Sequence, residues 1–473
     1  MIRMRLYCTV LLLVLGMTSC DKWLDRAPSS ELYGDEVFQH AEGFVKGLAA
    51  CYASMGSSSL YGRELEFGML DVMAGYWEIN NNHMYYADYH FDYQDPALKN
   101  RLSLVWSGMY GIIHQINIML EQVDNIQGDA NYALIKGELF GLRAFLHFEL
   151  LKLFGPVLGE SGMDEPAIPY YMTADRSPRS FLSAGLCFDR IEADLQEAKL
   201  LLSDDPIRTV GRAGDGNRRG IRMNYYAVMA LLARKAQWAG NMEEAGKRAQ
   251  ALLDALDEGS GIRFIGAAEV QQPDFMDYRF TMENLWGLYV KDIADYTQGY
   301  LTGQLFYGHL LLPANTGFLD NIYVYGTGNP SDLRYNFWRI NTRFAKFRVL
   351  SEDVSQSELV SSLEVQLINL PEMYFILAEA YLEKDMGTSL TYINMVREHR
   401  QLPVLTLEDL GSKEALGKLL LDEVRREYIG EGYLFSYYKH LDHAVLRPVK
   451  DVEADKHIFL FPIPDDEQIY NPK

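Results

Sequence analysis

Between residues 106 and 156 the chain carries two long apolar stripes separated by one polar break, and this pattern limits the fold more than any other stretch. In the first half Trp106, Tyr110, Ile113, Ile116, Asn117 and Leu120 recur every three or four residues, which marks one face of a helix. After the break at Gly128-Asp129, Ile135, Leu139, Leu142, Phe145, Leu146, Leu150 and Leu153 repeat the period, and Gly155-Pro156 supplies a stop. Neither helix can bury its stripe alone, so the two must pack on each other and on neighbours. Glu138 and Arg143 stand among the apolar residues of the second helix. Their placement predicts a partly buried ion pair, which would fix register more than it adds stability.

Two further stretches read as helical hairpins. In residues 225–254 the small side chains Ala227, Ala233 and Ala236 let helices approach, Gly240-Asn241 turns the chain, and Ala245 and Ala249 face back. Residues 371–400 repeat the plan, with Ala378, Glu379, Ala380 and Tyr381 on one helix and Ile393, Val396 and Arg397 on the other. Such alternation of small and large residues is tetratricopeptide-like, and its irregular spacing argues for helix pairs interrupted by insertions rather than a simple solenoid. A single helix is expected over 37–55, with Phe38, Phe44, Leu48, Cys51 and Tyr52 on its buried side. Within 262–350, short apolar runs such as Leu285-Trp286-Gly287-Leu288-Tyr289-Val290 alternate with Gly, Asn and Pro, which predicts short strands and long loops. The expected fold is therefore mainly α, a scaffold of tetratricopeptide-like helix pairs with loop-rich insertions and a few short strands.

Composition removes several function classes. The formal charge of −21 repels phosphate backbones, so a nucleic-acid partner is not expected. Cys51 and Cys187 lack any framework or metal spacing and read as buried thiols. His440 and His443 have helical spacing but no third ligand nearby, and the Gly- and Arg-rich run at 204–220 lacks the Gly-Lys-Ser/Thr of a phosphate loop. Glu423 and Glu427 lie one turn apart beside Arg425 and Arg426, a pattern for ion pairing rather than acid catalysis. No triad, metal cluster or cofactor loop is recognisable, so neither an enzyme nor a cofactor is expected.

The first residues read as an export signal. Arg3 and Arg5 precede an apolar run at 6–15, and small residues lead into Cys20. The run is too short to span a bilayer. Residues 1–19 are expected to be removed and Cys20 to be lipidated; acyl chains gathered on one residue give stable anchoring. Residues 20–35 then form a polar tether, and 36–473 a single domain.

Between Gly75 and Asp95 seven aromatics stand among asparagines and acids with no helical period. Aromatic faces stack on sugar rings while amide side chains bond hydroxyls, the apolar-plus-polar mixture of a small-ligand site. Trp77, Asn80, Asn81, Asn82, Tyr85, Tyr86 and Tyr89 are therefore expected ligand contacts. Long loops on a rigid scaffold carry binding, which adds Tyr296 and Tyr300 from the insertion, with Phe306 and Tyr307 behind them. Asp332-x-Arg334 reads as a structural ion pair.

Several of these stretches resemble one family. The run W-x3-Y-x2-I-x3-N, carried by Trp106, Tyr110, Ile113 and Asn117, leads to G-E-x4-R-A and F-G-P, carried by Gly137, Glu138, Arg143, Ala144, Phe154, Gly155 and Pro156. Together they resemble the SusD/RagB family of Bacteroidetes surface lipoproteins. The start at Cys20, Asp21, Leu24, Asp25 and Pro28, and the terminal Pro462-Ile463-Pro464 with Glu467, Ile469, Asn471 and Pro472, are similar to that family as well. The resemblance implies an N-terminal SusD-like part over about 36–220 and a C-terminal SusD/RagB part over about 262–473. It also implies an outer-membrane, surface-exposed lipoprotein that passes an oligosaccharide or polysaccharide to a TonB-dependent SusC-like barrel and does no chemistry itself. Three alternatives stay open at this point: a peptide binder of the same fold, a helical-repeat scaffold for proteins, and a surface hydrolase using Asp88 and Asp92.

Overall fold

The computed structural model describes residues 37–471 apart from 78, 159–161, 176, 213–217, 257, 272–276, 302–319, 321, 325, 341–342, 350–360 and 448–449. The leader, Cys20, the tether, Phe306 and Tyr307 lie outside the described residues.

The helices follow one another as packed neighbours. They are α1 (Ala41–Met55), α2 (Pro96–Gln122), α3 (Tyr132–Phe154), α4 (Ala184–Leu201), α5 (Tyr225–Trp238) and α6 (Met242–Ala255). Later in the chain come α7 (Leu370–Leu382), α8 (Met386–His399), α9 (Lys413–Glu427) and α10 (Tyr433–Leu441). Each element from α1 to α8 packs on the next, and α9 closes on both α7 and α8. The starts are set by local chemistry. Asp95 accepts from the N–H groups of Ala97 and Leu98 with Pro96 in the first turn of α2, while Asn224, Asn241 and Asn369 cap α5, α6 and α7. The hairpins α5–α6 and α7–α8 fall where the small-residue pattern places them. Between them Gly246 of α6 lies so close to α7 that a Cβ there would sit 2.9 Å from that of Ala380.

The insertion contributes β1 (Asn284–Tyr289), paired antiparallel with β2 (Glu364–Asn369), the strand that leads into α7. Trp286 on β1 is fully buried and meets Phe145 of α3 edge-on, so the strand joins the same core as the helices. A buried ion network ties Glu283, just before β1, and the segment around Arg334 to the end of α8 and to α9. Arg334 binds Asp332 at 2.8 Å, Glu427 at 2.9 Å and Glu423 at 3.0 Å, and Arg400 joins Glu427 to Glu283. Burial opposes ionisation of Glu423, but the guanidiniums of Arg426, Arg334 and Arg397 override it and hold the carboxyl down at about 2. Asp332 and Arg334 thus form the expected structural ion pair, and Glu423 and Glu427 are ion-paired, as their spacing beside arginines implied.

Glu138 and Arg143 do not pair with each other. Five positions on a helix turn the side chains roughly 140° apart, so they face different neighbours. Glu138 instead meets Arg219 and accepts from Tyr52 Oη at 2.8 Å, while Arg143 binds Asp194 at 2.7 Å. Cys51 and Cys187 are buried free thiols, pushed up by burial to about 12 and about 11.

Candidate functional site

The aromatic loop is held by the start of α2. Arg101, in the second turn of that helix, donates from Nε to Asp88 Oδ1 at 3.0 Å and from Nη2 to the carbonyl of Met84 at 3.1 Å. This grips the short helix Tyr86–Tyr89 from below. Asp88 is fully buried, and burial raises its carboxyl to about 6 despite the pull of Arg101. With its second oxygen also on Arg101, Asp88 is a structural partner of that cation rather than an open acid.

The two predicted patches meet. Tyr300 from the insertion packs on Tyr85 from the loop with ring centroids 6.3 Å apart, and its hydroxyl donates to Met84 Sδ. Arg63 lies 5.3 Å over the Tyr300 ring and Arg101 lies 5.0 Å over Tyr85, so two cations bracket two rings. Tyr296 reaches the same place through Gly62. A Cβ on that glycine would come within 2.7 Å of the Tyr296 ring and 2.6 Å of the Gly56 carbonyl.

Above this layer lies an open rim. Tyr86 is 38% exposed and its ring stands 4.3 Å from that of His90, which meets Tyr89 edge-on at 5.3 Å. Arg447 stacks on Tyr89 at 3.8 Å from the far end of the chain. Asn80, Asn81 and Asn82 are exposed beside the rim, with Asn80 Oδ1 accepting from the N–H of Asn82. The two segments joined at Tyr85 and Tyr300 therefore offer partly exposed rings (Tyr86, Tyr89, Tyr296, Tyr300), amide groups and Arg63 as a candidate face.

Two of the expected contacts lie underneath it. Trp77 is fully buried against Phe344 at 5.8 Å, and Tyr85 is fully buried between Arg101 and Tyr300. A ring with no exposed face cannot stack on a ligand, so Trp77 and Tyr85 support the loop in this structure rather than lining its surface. An aperiodic aromatic run does not say which rings point inward, because depth here is set by partners far along the chain. Sequence reasoning missed Arg63, His90 and Arg447. Only His90 had a local signal, since it lies inside the aromatic run.

Both halves of this face lie in segments that match known families. Residues 22–234 match a SusD-like model described as starch-binding and associating with the outer membrane, and residues 267–436 match the model of the SusD family. The chain belongs to the SusD/RagB family. Solved SusD superfamily structures share its fold. One from Bacteroides thetaiotaomicron is 19% identical, covers 91% of this chain and 98% of its own, and superposes with a TM-score of 0.69. A SusD-like carbohydrate binding protein from Bacteroides vulgatus is 18% identical over 90% of this chain and 96% of its own, with a TM-score of 0.69. A Bacteroides fragilis member is 18% identical over 92% and 99%, with a TM-score of 0.70. Curated proteins give no match. For this SusD/RagB protein the candidate face is thus built from the segment before α2 and the segment after β1, one from each matched region.

Proposed function

We propose that this SusD/RagB protein captures an oligosaccharide or polysaccharide at the cell surface and hands it to a TonB-dependent outer-membrane transporter. The observation that carries the reading is the meeting of Tyr300 and Tyr85, which joins two loop clusters into one face of partly exposed rings, amides and a cation. Tyr86, Tyr89, Tyr296 and Tyr300 supply stacking surfaces, and Asn80, Asn81, Asn82 and Arg63 supply hydrogen bonds to hydroxyls. The starch-binding description of the matching family model and the carbohydrate-binding neighbour support a glycan as ligand. Ring stacking and neutral hydrogen bonds hold a sugar without a buried charge pair, which suits a protein that must release its ligand to a partner.

In this reading residues 36–473 act as one domain, Cys20 carries the lipid, and the protein performs no catalysis. Affinity electrophoresis of the chain from residue 21 onward through gels containing starch, other glucans or no polymer tests the binding step. Retardation by at least one glycan is expected, and free migration through all of them together with binding to peptides overturns the glycan reading. Loss of membrane association in cells on Cys20→Ala, with the soluble chain intact, is the expected result for the anchor.

A further inference from the structure

A cavity of about 350 Å³ lies along α2 and shares no lining residue with the face described above. Its walls are Trp106, Tyr110 and Tyr171, and its polar groups include Asp175 and Glu467. The rings are mutually braced: Trp106 and Tyr110 have centroids 4.8 Å apart, and Tyr110 meets Tyr171 edge-on at 5.5 Å.

The wall that carries Tyr171 is fastened from beneath by buried polar side chains. Asn117 is fully buried and donates from Nδ2 to the carbonyls of Tyr171 at 3.0 Å and Thr173 at 3.1 Å. Arg143 donates to the Met172 carbonyl, and the N–H of Tyr171 donates to His147 Nε2 at 3.1 Å. Burial pushes His147 down to about 3, so its ring stays neutral and that nitrogen stays an acceptor. Three buried side chains spent on one exposed strip of backbone fix the cavity before any ligand arrives, which lowers the cost of ordering on binding.

The charge around the opening is negative. Asp175 is held down at about 2 by the Thr173 hydroxyl and the N–H of Ser177, and Arg179 pairs with it. Glu467 accepts from the neutral donors Trp106 Nε1 and Asn471 Nδ2, and Glu121 accepts from the N–H of Ala174. Asp175 and Arg179 offset each other, the donors to Glu467 and Glu121 described here are neutral, and His114 is a further ionisable group on the cavity wall. A cation seated over the face of any of these rings is attracted by it, in the same direction as by the carboxylates.

We propose that this cavity is a binding site for a compact organic cation, an ammonium or guanidinium group, either free in solution or on a Lys or Arg side chain of a polypeptide. Gly111 makes the site testable. It lines the cavity, and a Cβ built on it meets nothing within 4 Å. The Cβ of Gly111→Leu therefore enters open space and the rest of the side chain extends into the cavity, while the substitution improves helix propensity, so this variant is expected to fold at least as stably as the parent.

Calorimetric titration of the chain from residue 21 onward with tetramethylammonium, arginine amide and an Arg-containing tripeptide, with glucose as the neutral control, decides the proposal. The cations are expected to saturate one site and glucose is not. Binding is expected to disappear in Gly111→Leu, to weaken about tenfold in Glu467→Gln and to weaken as salt rises from about 0.05 to 0.5 M. Equal affinity for the free cation and the tripeptide identifies a free ligand, and much tighter tripeptide binding identifies a polypeptide side chain. Absence of saturation by every cation, or cation binding unchanged in both variants, overturns the proposal.

Discussion

The guanidinium of Arg447 lies 3.8 Å above the ring of Tyr89 and donates to that residue's carbonyl, so the segment that follows α10 holds the aromatic loop in place. The same cation lies 5.0 Å over Phe91, whose φ of 54° is left-handed. A non-glycine residue there costs on the order of 1–2 kcal/mol, and the contacts with Arg447 and with the stacked ring of Phe435 offset that cost. Arg447→Ala is expected to destabilise the loop by about 1–2 kcal/mol. Limited proteolysis should show faster cleavage within 80–93, with little change in the thermal midpoint of the whole domain. Arg447→Lys keeps charge but loses planar stacking, so it should fall between the two.

The buried network at α9 predicts a strong asymmetry between ion pairs. Arg334→Ala removes one cation from among Asp332, Glu423 and Glu427, all buried. Leaving buried carboxylates short of a partner costs about 3–5 kcal/mol. Lys413→Ala, which breaks an exposed pair with Glu383, should leave stability unchanged within error. Urea unfolding of both variants checks the contrast.

Glu431 predicts a pH effect. Burial raises its carboxyl to about 7, against the pull of Lys346, while Glu427 and Glu372 add to the rise. A carboxyl raised above its unfolded value binds more protons when folded, so its contribution to stability is present at low pH and is lost as pH rises from about 4.5 to 7. Glu431→Gln cannot ionise and lacks this loss. Its stability relative to the parent should therefore climb between pH 5 and 7.5, read from urea midpoints across that range. A flat difference contradicts the assignment.

Gly62→Ala places a methyl group 2.6 Å from the Gly56 carbonyl, 2.7 Å from the Ser57 carbonyl and 2.7 Å from the Tyr296 ring. Backbone carbonyls cannot swing aside as a side chain does, so a loss of about 1–3 kcal/mol is expected. Displacement of Tyr296 should also weaken glycan binding. Thermal melts and a glycan titration of the same preparation separate the two effects.

The helical scaffold was legible because its signals are local. The stripes at 106–156 fold as α2 and α3, the small-residue hairpins as α5–α6 and α7–α8, and the apolar run near Trp286 as β1. What depended on distant partners was not legible. Glu138 and Arg143 are neighbours in sequence, yet Glu138 is satisfied by Arg219 and Tyr52, and Arg143 by Asp194. Trp77 and Tyr86 share one aromatic run, but Trp77 is buried against Phe344 while Tyr86 is partly exposed. The pairing of Arg447 with Tyr89 crosses 358 positions and left no local pattern.

Glycan capture at the face around Tyr86 and Tyr300 is read out by calorimetry on paired variants. The chain from residue 21 onward is titrated with starch-derived and other oligosaccharides, beside Tyr86→Ala, Tyr300→Ala and the buried-ring control Phe188→Leu. Saturable binding of one glycan class is expected, weakened about tenfold or more by each tyrosine variant and unchanged by the control. Glycan binding at full strength in both tyrosine variants, or saturation by peptides and by no glycan, rules out glycan capture at this face.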